Sequence, residues 1–353
     1  MVTVSYYCES EFQDFSASSK KLLTTIGNLI YRFSKTFEYF ELIFSAMGVF
    51  VNLFHLIVLT RQEMRTSSTF VIMAGIAACD FFNMGAIIWN SHNYNFQLFS
   101  TWEMAIFDVL RRENSYLGVL MALVRYSVIK YSMEAKFEYI SKPIFGIFVF
   151  MVTFFCSSLV SGFYFYHCYL LETFEWSPPE QCRGYPANYT QMYYMPVITE
   201  EFFRRPWLGL QSFMFVDGLI KILPTILLPI LTLLLLAEIR AAKRIRMKLS
   251  SNAEKSQPDH TTKLVTVMTV ASMVAEGPIG LAYILQGFAG KSMGILKLSA
   301  DFISCLTVFF TINSLTHCFI SLIISTQYRK TARNLLLKKK MRKMVHTSFL
   351  TVL

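Results

Sequence analysis

Charge is scarce in this chain, and several long stretches lack it almost entirely. Only 16% of the 353 residues are Asp, Glu, Lys or Arg, whereas soluble domains average about 25%. Hydrophobic residues make up 54% of the chain. Because an apolar stretch of about 20 residues crosses the hydrocarbon core of a bilayer as a helix, this composition excludes an ordinary soluble protein. It indicates a chain that folds in lipid.

Several other signals are missing. The first 37 residues lack the basic start, apolar centre and small-residue cleavage site of a signal peptide, so we expect the first apolar run to direct insertion. No zinc-type cysteine spacing, phosphate-binding loop or nucleophile motif occurs, and the six histidines are scattered. We therefore expect no metal, no cofactor and no enzymatic activity. The net charge of +10 is spread between the apolar runs and the tail, which argues against nucleic-acid binding.

Seven apolar runs are long enough to cross a bilayer as helices, which rise about 1.5 Å per residue. These runs cover residues 42–60, 70–99, 102–130, 144–171, 206–237, 264–290 and 302–328. The pattern predicts an all-α membrane protein built as a seven-transmembrane helix bundle. Its parts are an N-terminal segment at residues 1–37, the bundle at 38–328 and a basic tail at 329–353.

The positions of Lys and Arg predict the orientation. With the N-terminus outside, 21 of the 33 Lys and Arg residues fall in cytoplasmic segments and nine fall outside. Because cytoplasmic loops carry the excess of basic residues, we expect a multi-pass plasma-membrane protein with its tail in the cytoplasm. The one glycosylation sequon, at Asn188, then lies in the second outer loop, and we predict that this asparagine is glycosylated.

Arg125 and Tyr126 stand at the inner end of the third run, directly after the apolar stretch LGVLMALV. Seven spans with this pair resemble the rhodopsin-like G-protein-coupled receptors. More specific motifs follow the same order along residues 38–335: NLFHLIVLTRQEMRTSS, IAACD, RREN with YLGVLMALVR, ILPTILLPILTLLLLAEIR and TINSLTHCFISLIISTQYRKT. Together they look like the nematode serpentine chemoreceptor class Srw, which is itself similar to FMRFamide-type neuropeptide receptors.

The resemblance implies a receptor that senses an extracellular peptide or small chemical cue and activates a heterotrimeric G protein. By this resemblance Arg125 and Tyr126 contact the G protein, and residues 327–330 begin a short juxtamembrane helix after span seven. An activation network is implied at Asn52, Asp80, Pro224, Glu276, Pro278, Asn313 and His317.

Four departures from the family pattern bear on switching. Val124 replaces the acid before Arg125, so we expect any restraint on that arginine to come from another helix. Glu276 replaces a tryptophan in span six, and His317 stands where an asparagine precedes proline in span seven. Span three has no cysteine at its outer end, so the usual bridge to the second outer loop cannot form.

The cysteines of the outer side leave another pairing open. Cys8, Cys168 and Cys182 lie outside or at the outer rim, where disulfides form. We favour a Cys168–Cys182 disulfide slightly over Cys8–Cys182. Sequence alone does not determine connectivity, so both pairings stay open.

Three consecutive charged residues in span three are the main candidates for a ligand site. Arg111, Arg112 and Glu113 lie 12 to 14 residues before Arg125, about 18–21 Å along the helix. Because consecutive side chains point about 100° apart, they cannot all face one cavity. One of them either binds a ligand carboxylate while another pairs with an acid of a different span, or all belong to an internal charge network. The predicted ligand-binding residues are Arg111, Arg112, Asp217, Glu276 and Asp301.

Two other groups of polar residues lie within the spans. Asp217 and Lys221 are four residues apart, a spacing that favours mutual neutralisation on one helix face. Asn52 and Asp80 lie in apolar stretches and should face the bundle interior. They form either a water or sodium network, as the resemblance suggests, or polar contacts between helices worth about 1 kcal/mol.

Two other functional classes remain open. The motif departures are compatible with an accessory protein that keeps the receptor fold without coupling to a G protein. The intramembrane charges are also compatible with a transporter or channel, although the chain shows no internal repeat.

Overall fold

Seven long helices make up most of the chain in a computed structural model. The model describes all residues except 1–6, 8, 14, 93–96, 132–133, 177–187, 206, 250–259, 290–291 and 338–353. The long helices are α1 (Ala17–Leu59), α2 (Ser68–His92), α3 (Gln97–Lys130), α5 (Pro143–Tyr166), α7 (Leu210–Leu249), α8 (His260–Ala289) and α9 (Met293–Ile324). Shorter elements are α4 (Glu138–Ser141), α6 (Glu200–Arg204), β1 (Cys168–Trp176), β2 (Gln191–Ile198) and α10 (326–337).

The bundle is apolar outside and polar inside. Within the described residues, α1, α2, α5, α7 and α9 are each long and apolar enough to cross a membrane. Large apolar side chains such as Phe50, Ile147 and Phe155 are exposed on their outer faces. Arg112 and Glu113 of α3 instead point inward and are buried. This arrangement is the one that lipid requires, because a charged group in hydrocarbon is costly unless it faces the bundle interior.

Helix α1 begins well before the predicted boundary at residue 38. Ser16 caps its N-terminus by accepting a hydrogen bond from the backbone N–H of Ser19. The apolar signal starts late because charged residues interrupt it. Lys35 and Glu38 form an exposed ion pair at 2.9 Å along the same helix, so these charges do not end it. The boundary therefore divides one continuous helix.

The segment before α1 packs against the outer ends of α1 and α9. The Tyr7 hydroxyl donates a 2.6 Å hydrogen bond to Asp301, and the backbone N–H of Tyr7 donates to the Asn28 side chain at 3.0 Å. Lys297 forms an ion pair with Glu11 at 2.9 Å. We call Tyr7 and Glu11 with these partners the N-terminal clasp. It joins the start of the chain to its last long helix.

The second outer loop forms a two-stranded sheet, which the apolar runs did not predict. Strands β1 and β2 pair antiparallel with Cys168 opposite Ile198. Asn188 follows the undescribed part of this loop, is exposed and has a φ of 65°, a conformation that asparagine tolerates. Its exposure is compatible with glycosylation, which stays a prediction. Cys182 lies outside the described residues, so the Cys168–Cys182 bridge also stays a prediction.

Helices α7 and α8 approach each other closely at two glycines. A Cβ atom on Gly218 would lie 2.6 Å from the backbone nitrogen of Ile284, and one on Gly280 would lie 2.9 Å from that of Ile222. Small residues of this kind let helix backbones meet inside a membrane. The outer and middle parts of these helices are therefore held together as one unit.

Replacing Gly218 with alanine should destabilise the receptor by about 1–3 kcal/mol, because the added methyl overpacks a backbone contact. The matched control is Gly162→Ala on α5, where a Cβ would meet nothing within 4 Å. There, alanine should be neutral or stabilise by about 0.5–1 kcal/mol through its higher helix propensity. Thermal unfolding of the detergent-purified proteins measures both effects. Equal stability of the two variants would contradict the close approach.

The inner end of the bundle is closed by α10, the predicted juxtamembrane helix. Tyr328 is buried, and its hydroxyl lies 2.8 Å from Nδ1 of His55 on α1. Thr331 donates to the Glu63 carboxylate at 3.0 Å, and Gln327 donates to the Glu63 carbonyl. These contacts attach α10 to the first inner loop, so the expected helix after span seven is confirmed.

Candidate functional site

Four charged side chains form a buried cluster between α3 and α7. Arg112 donates to Asp108 and to Asp217, each at 2.7 Å. Lys221 pairs with Asp108 at 3.0 Å and also with Asp217. The side chains of Arg112 and Asp217 are only 2% and 3% exposed. Two cations and two anions make the cluster neutral, and the predicted pairing of Asp217 with Lys221 is confirmed as part of this larger group.

Two serines of α5 complete the contacts of Arg112. Its guanidinium donates to the Ser161 hydroxyl at 2.8 Å and to the Ser157 carbonyl at 3.1 Å. The Ser161 hydroxyl in turn donates to Asp108 at 2.7 Å. Arg112 therefore has four acceptors already in place, and the cluster joins α3, α5 and α7.

Arg111 has a different environment. Its guanidinium carbon lies 4.8 Å from the ring centre of Phe310 on α9 and 5.0 Å from that of Phe107. Among the described residues, its buried Nε and Nη2 atoms have no hydrogen-bond partner. The carboxylates of Glu41 and Glu276 act on it only through longer-range electrostatics. Because buried donors without acceptors are costly, this guanidinium is well suited to receive an anionic group.

Neighbouring positions on α3 thus face three different partners, as the helical rotation predicts. Arg111 points toward α9 and Arg112 toward α5 and α7. Glu113 is fully buried and accepts a 2.6 Å hydrogen bond from Thr153 of α5. Arg112 therefore belongs to an internal network, whereas two donor atoms of Arg111 have no partner among the described residues. Ligand binding by Arg111 stays a prediction.

Two small cavities meet at Glu276. The outer one has a volume of about 20 Å³ and is lined by Arg111, Tyr116 and Phe310 as well as by Glu276. The inner one has about 30 Å³ and reaches His317. Volumes of this size hold about one or two water molecules. A ligand that reaches Arg111 must therefore widen this cavity.

The structure separates the five predicted ligand residues into three places. Arg111 and Glu276 line the outer cavity. Arg112 also reaches its wall but is paired with Asp217 in the ion cluster, and Asp301 accepts a hydrogen bond from Tyr7 in the N-terminal clasp. Ligand binding by each of these five residues stays a prediction.

Three contributors to the site escaped sequence reasoning. Asp108 precedes Arg112 by four residues, and this spacing was an available signal for pairing. Tyr116, whose hydroxyl donates to the Ile220 carbonyl at 2.9 Å, and Phe310 carry no sequence signal of this kind. Both are ordinary aromatic residues in apolar runs, and only the packing of the helices brings them to the cavity.

A comparison with models of protein families identifies the family of this chain. The model of the serpentine type 7TM GPCR chemoreceptor Srw family matches residues 39–339. The chain belongs to the Srw family. No curated protein gives a match. Membership confirms the seven-transmembrane receptor fold and a multi-pass plasma-membrane protein. In the orientation predicted from the basic residues, the outer cavity of this Srw receptor lies nearer the extracellular ends of α3 and α9 than the inner cavity does.

A second polar group of the Srw receptor lies deeper, at α1, α2 and α3. Asp80 accepts a 2.8 Å hydrogen bond from Asn114, and the Asn52 amide contacts the sulfur of Met84 at 3.5 Å. Among the described residues, Oδ2 of Asp80, Oδ1 of Asn52 and both polar side-chain atoms of Asn83 are buried without a partner. Orphaned oxygens around a carboxylate fit ordered water or a sodium ion, as the resemblance implies.

The remaining network residues of the Srw receptor lie at the inner cavity and at prolines within α7 and α8. Asn313 donates to Ser272 of α8 at 3.3 Å, and His317 lines the inner cavity. Pro224 lies inside α7 and Pro278 inside α8, where each removes a backbone hydrogen bond.

Arg125 lies at the inner end of α3 in the Srw receptor. It is half-buried, and no ion pair or hydrogen bond to its side chain occurs within the described part of the chain. Val124 is buried in an apolar cluster with Leu117 and Val149, so no local acid restrains the arginine. The Tyr126 hydroxyl accepts a 2.7 Å hydrogen bond from Lys130.

Proposed function

We propose that this Srw receptor responds to a small extracellular ligand or peptide that carries a carboxylate, and that Arg111 binds this group. The observation that carries the proposal is the buried Arg111 guanidinium, which has two donor atoms without partners among the described residues. The neighbouring Arg112 already donates to two carboxylates and two serines, and among the described residues only its Nε atom is buried without a partner. An arginine fork binds a carboxylate through two parallel hydrogen bonds, which makes this group the best match to the site.

Glu276 narrows the ligand class further. It lines the outer cavity together with Arg111. When the carboxylate of a ligand binds Arg111, the adjoining atoms of that ligand therefore lie near the Glu276 carboxylate. An amine or amide hydrogen at that position would be stabilised by Glu276, whereas a second acidic group would be repelled. The preferred ligand therefore combines a carboxylate with a nearby amine or amide, as the end of a peptide does.

The receptor signals through a heterotrimeric G protein in this proposal. A ligand between Arg111 and Glu276 acts on α8 just before Pro278, where the proline removes a backbone hydrogen bond. Close packing at Gly218 and Gly280 makes α7 follow α8. The inner ends of both helices then move and expose the surroundings of Arg125 to the G protein. Ligand binding shifts the population toward this open state only because the ligand binds that state more tightly.

Arg111→Met should weaken the response to a carboxylate ligand by 30-fold or more, since truncating one partner of a buried charged pair costs about 2–5 kcal/mol. The measurement is G-protein activation in cells that express the receptor with a promiscuous G protein. The cells are stimulated by a panel of acids, their amides and short peptides with free or amidated C-termini. Free acids should activate the unmodified receptor, and the matching amides should not.

The control is Arg204→Met, which removes an exposed arginine of α6 and should leave the response unchanged. Full potency of free acids at Arg111→Met would contradict the assigned anion site. Two rival functions predict different outcomes when cells with and without the G protein are compared. A non-coupling accessory protein binds a ligand without G-protein activation, and a transporter or channel gives uptake or current in cells without the G protein.

A further inference from the structure

An apolar groove runs along the side of the bundle between α2, α3 and α5. Its volume is about 700 Å³, which falls within the range of sites that hold drug-sized molecules. The outer cavity at Arg111 is far smaller, at about 20 Å³. The groove is lined by Ala78, Cys79, Phe81, Phe82, Gly85, Ala86, Trp89, Ile106, Phe107, Leu110, Phe150 and Phe154.

The chemistry of the lining restricts what can bind. Apart from the Cys79 thiol and the Trp89 indole, every lining side chain is a hydrocarbon. Cys79 is itself buried. A ligand with a buried polar group would lose its hydrogen bonds to water without replacement, and this costs several kcal/mol. The groove therefore favours a ligand, or a part of a ligand, that consists of hydrocarbon.

The groove opens to the bilayer. Phe82, Trp89 and Ile106 are 59%, 60% and 58% exposed, and they lie on helix faces turned toward lipid. At Gly85 an added Cβ would meet nothing within 4 Å, so the surface of α2 is recessed at this point. Lining residues near the end of α2 and near the start of α3 lie toward the outside, which places the mouth of the groove in the outer leaflet. Phe150 and Phe154 of α5 lie deeper, so the groove extends toward the middle of the membrane.

We propose that this groove is a binding site for one acyl chain of an outer-leaflet phospholipid. Because the groove is continuous with the lipid-facing surface, an acyl chain can enter it directly from the bilayer. A flexible chain can follow the recess at Gly85 and needs no polar anchor within the groove. A sterol is the less suitable occupant because the lining offers no carboxylate, amide or hydroxyl side chain to hold its hydroxyl group.

The groove is separated from Arg111 by one aromatic ring. Phe107 lines the groove and also lies 5.0 Å from the Arg111 guanidinium carbon. A bound acyl chain supports this ring from the lipid side and so restricts the space into which it can turn. The inference goes beyond the proposed function and does not depend on a carboxylate ligand or on G-protein coupling.

The test uses the full-length receptor in phosphatidylcholine nanodiscs that contain a small fraction of phosphatidylcholine with a diazirine in one acyl chain. After illumination, mass spectrometry compares labelling around Phe82 and Phe107 with labelling of the exposed lipid-facing residues Ile147 and Phe155. Labelling of the groove should saturate at a low probe fraction, whereas labelling of the other face should rise in proportion to it.

Gly85→Leu should reduce labelling in the groove by about tenfold, the effect of losing roughly two buried methylene groups. Gly162→Leu, at another open position, should leave it unchanged. Unfolding temperatures of both variants confirm that each is folded. Labelling that is proportional to probe on both faces, or equal in the two variants, would show ordinary annular lipid and overturn the proposal. Saturable labelling by a sterol diazirine but not by the phospholipid would also overturn it.

Discussion

Arg112→Leu is expected to destabilise the receptor by about 3–5 kcal/mol, the usual effect of removing one partner from a buried ion pair. The change leaves Asp108 and Asp217 with Lys221 as their only cation in the cluster. An excess negative charge then remains in the bundle interior. Surface expression should fall sharply, and the protein purified in detergent should unfold at a markedly lower temperature.

The adjacent arginine provides the control. Arg111→Leu removes the same charge from the same helix at nearly the same depth, but Arg111 has no ion pair at hydrogen-bond distance among the described residues. Since two buried donors without partners are removed, this variant should be as stable as the original receptor or slightly more stable. If both variants lose stability equally, the ion cluster does not have the structural role described above.

The second large effect concerns signalling, and it depends on the proposed coupling to a G protein. Arg125→Ala should abolish G-protein activation while the receptor still reaches the cell surface. Arg125 lies at the inner end of α3, and its removal breaks no hydrogen bond or ion pair within the described part of the chain. Activation is measured as nucleotide exchange on a co-expressed promiscuous G protein, and surface level is measured by labelling of intact cells.

Lys130→Ala tests whether the position of the charge matters. Lys130 is an exposed cation on the same helix whose described hydrogen bond is to Tyr126. Its removal should reduce activation little, because exposed contacts of this kind contribute little free energy. Normal signalling by Arg125→Ala would refute the assigned contact, even if the receptor class stands.

The fold was largely predictable because lipid imposes a simple pattern on sequence. Apolar runs of sufficient length predicted all seven long helices, and the counts of basic residues predicted their direction. The pattern failed where a helix leaves the bilayer, since hydropathy marks the lipid boundary and not the helix end. Helix α1 continues outward to Ala17 through Lys35 and Glu38, and the pairing of β1 with β2 depends on contacts that no apolar run encodes.

The site was predictable only in its local parts. The spacing of Asp217 and Lys221, and the rotation between Arg111 and Arg112, both follow from helix geometry. Asp301 could not be placed in this way. Its described hydrogen-bond partner is Tyr7, which is 294 positions away in sequence, so only the assembled bundle reveals the contact.

The N-terminal clasp has a practical consequence for assays of this receptor. Tyr7 is buried against α1 and α9, so the start of the chain contributes to the folded structure. A reporter or affinity tag fused directly to Met1 is joined only a few positions from this buried tyrosine. Ligand screens are therefore better designed with the reporter fused after Leu353, where it does not disturb the extracellular face.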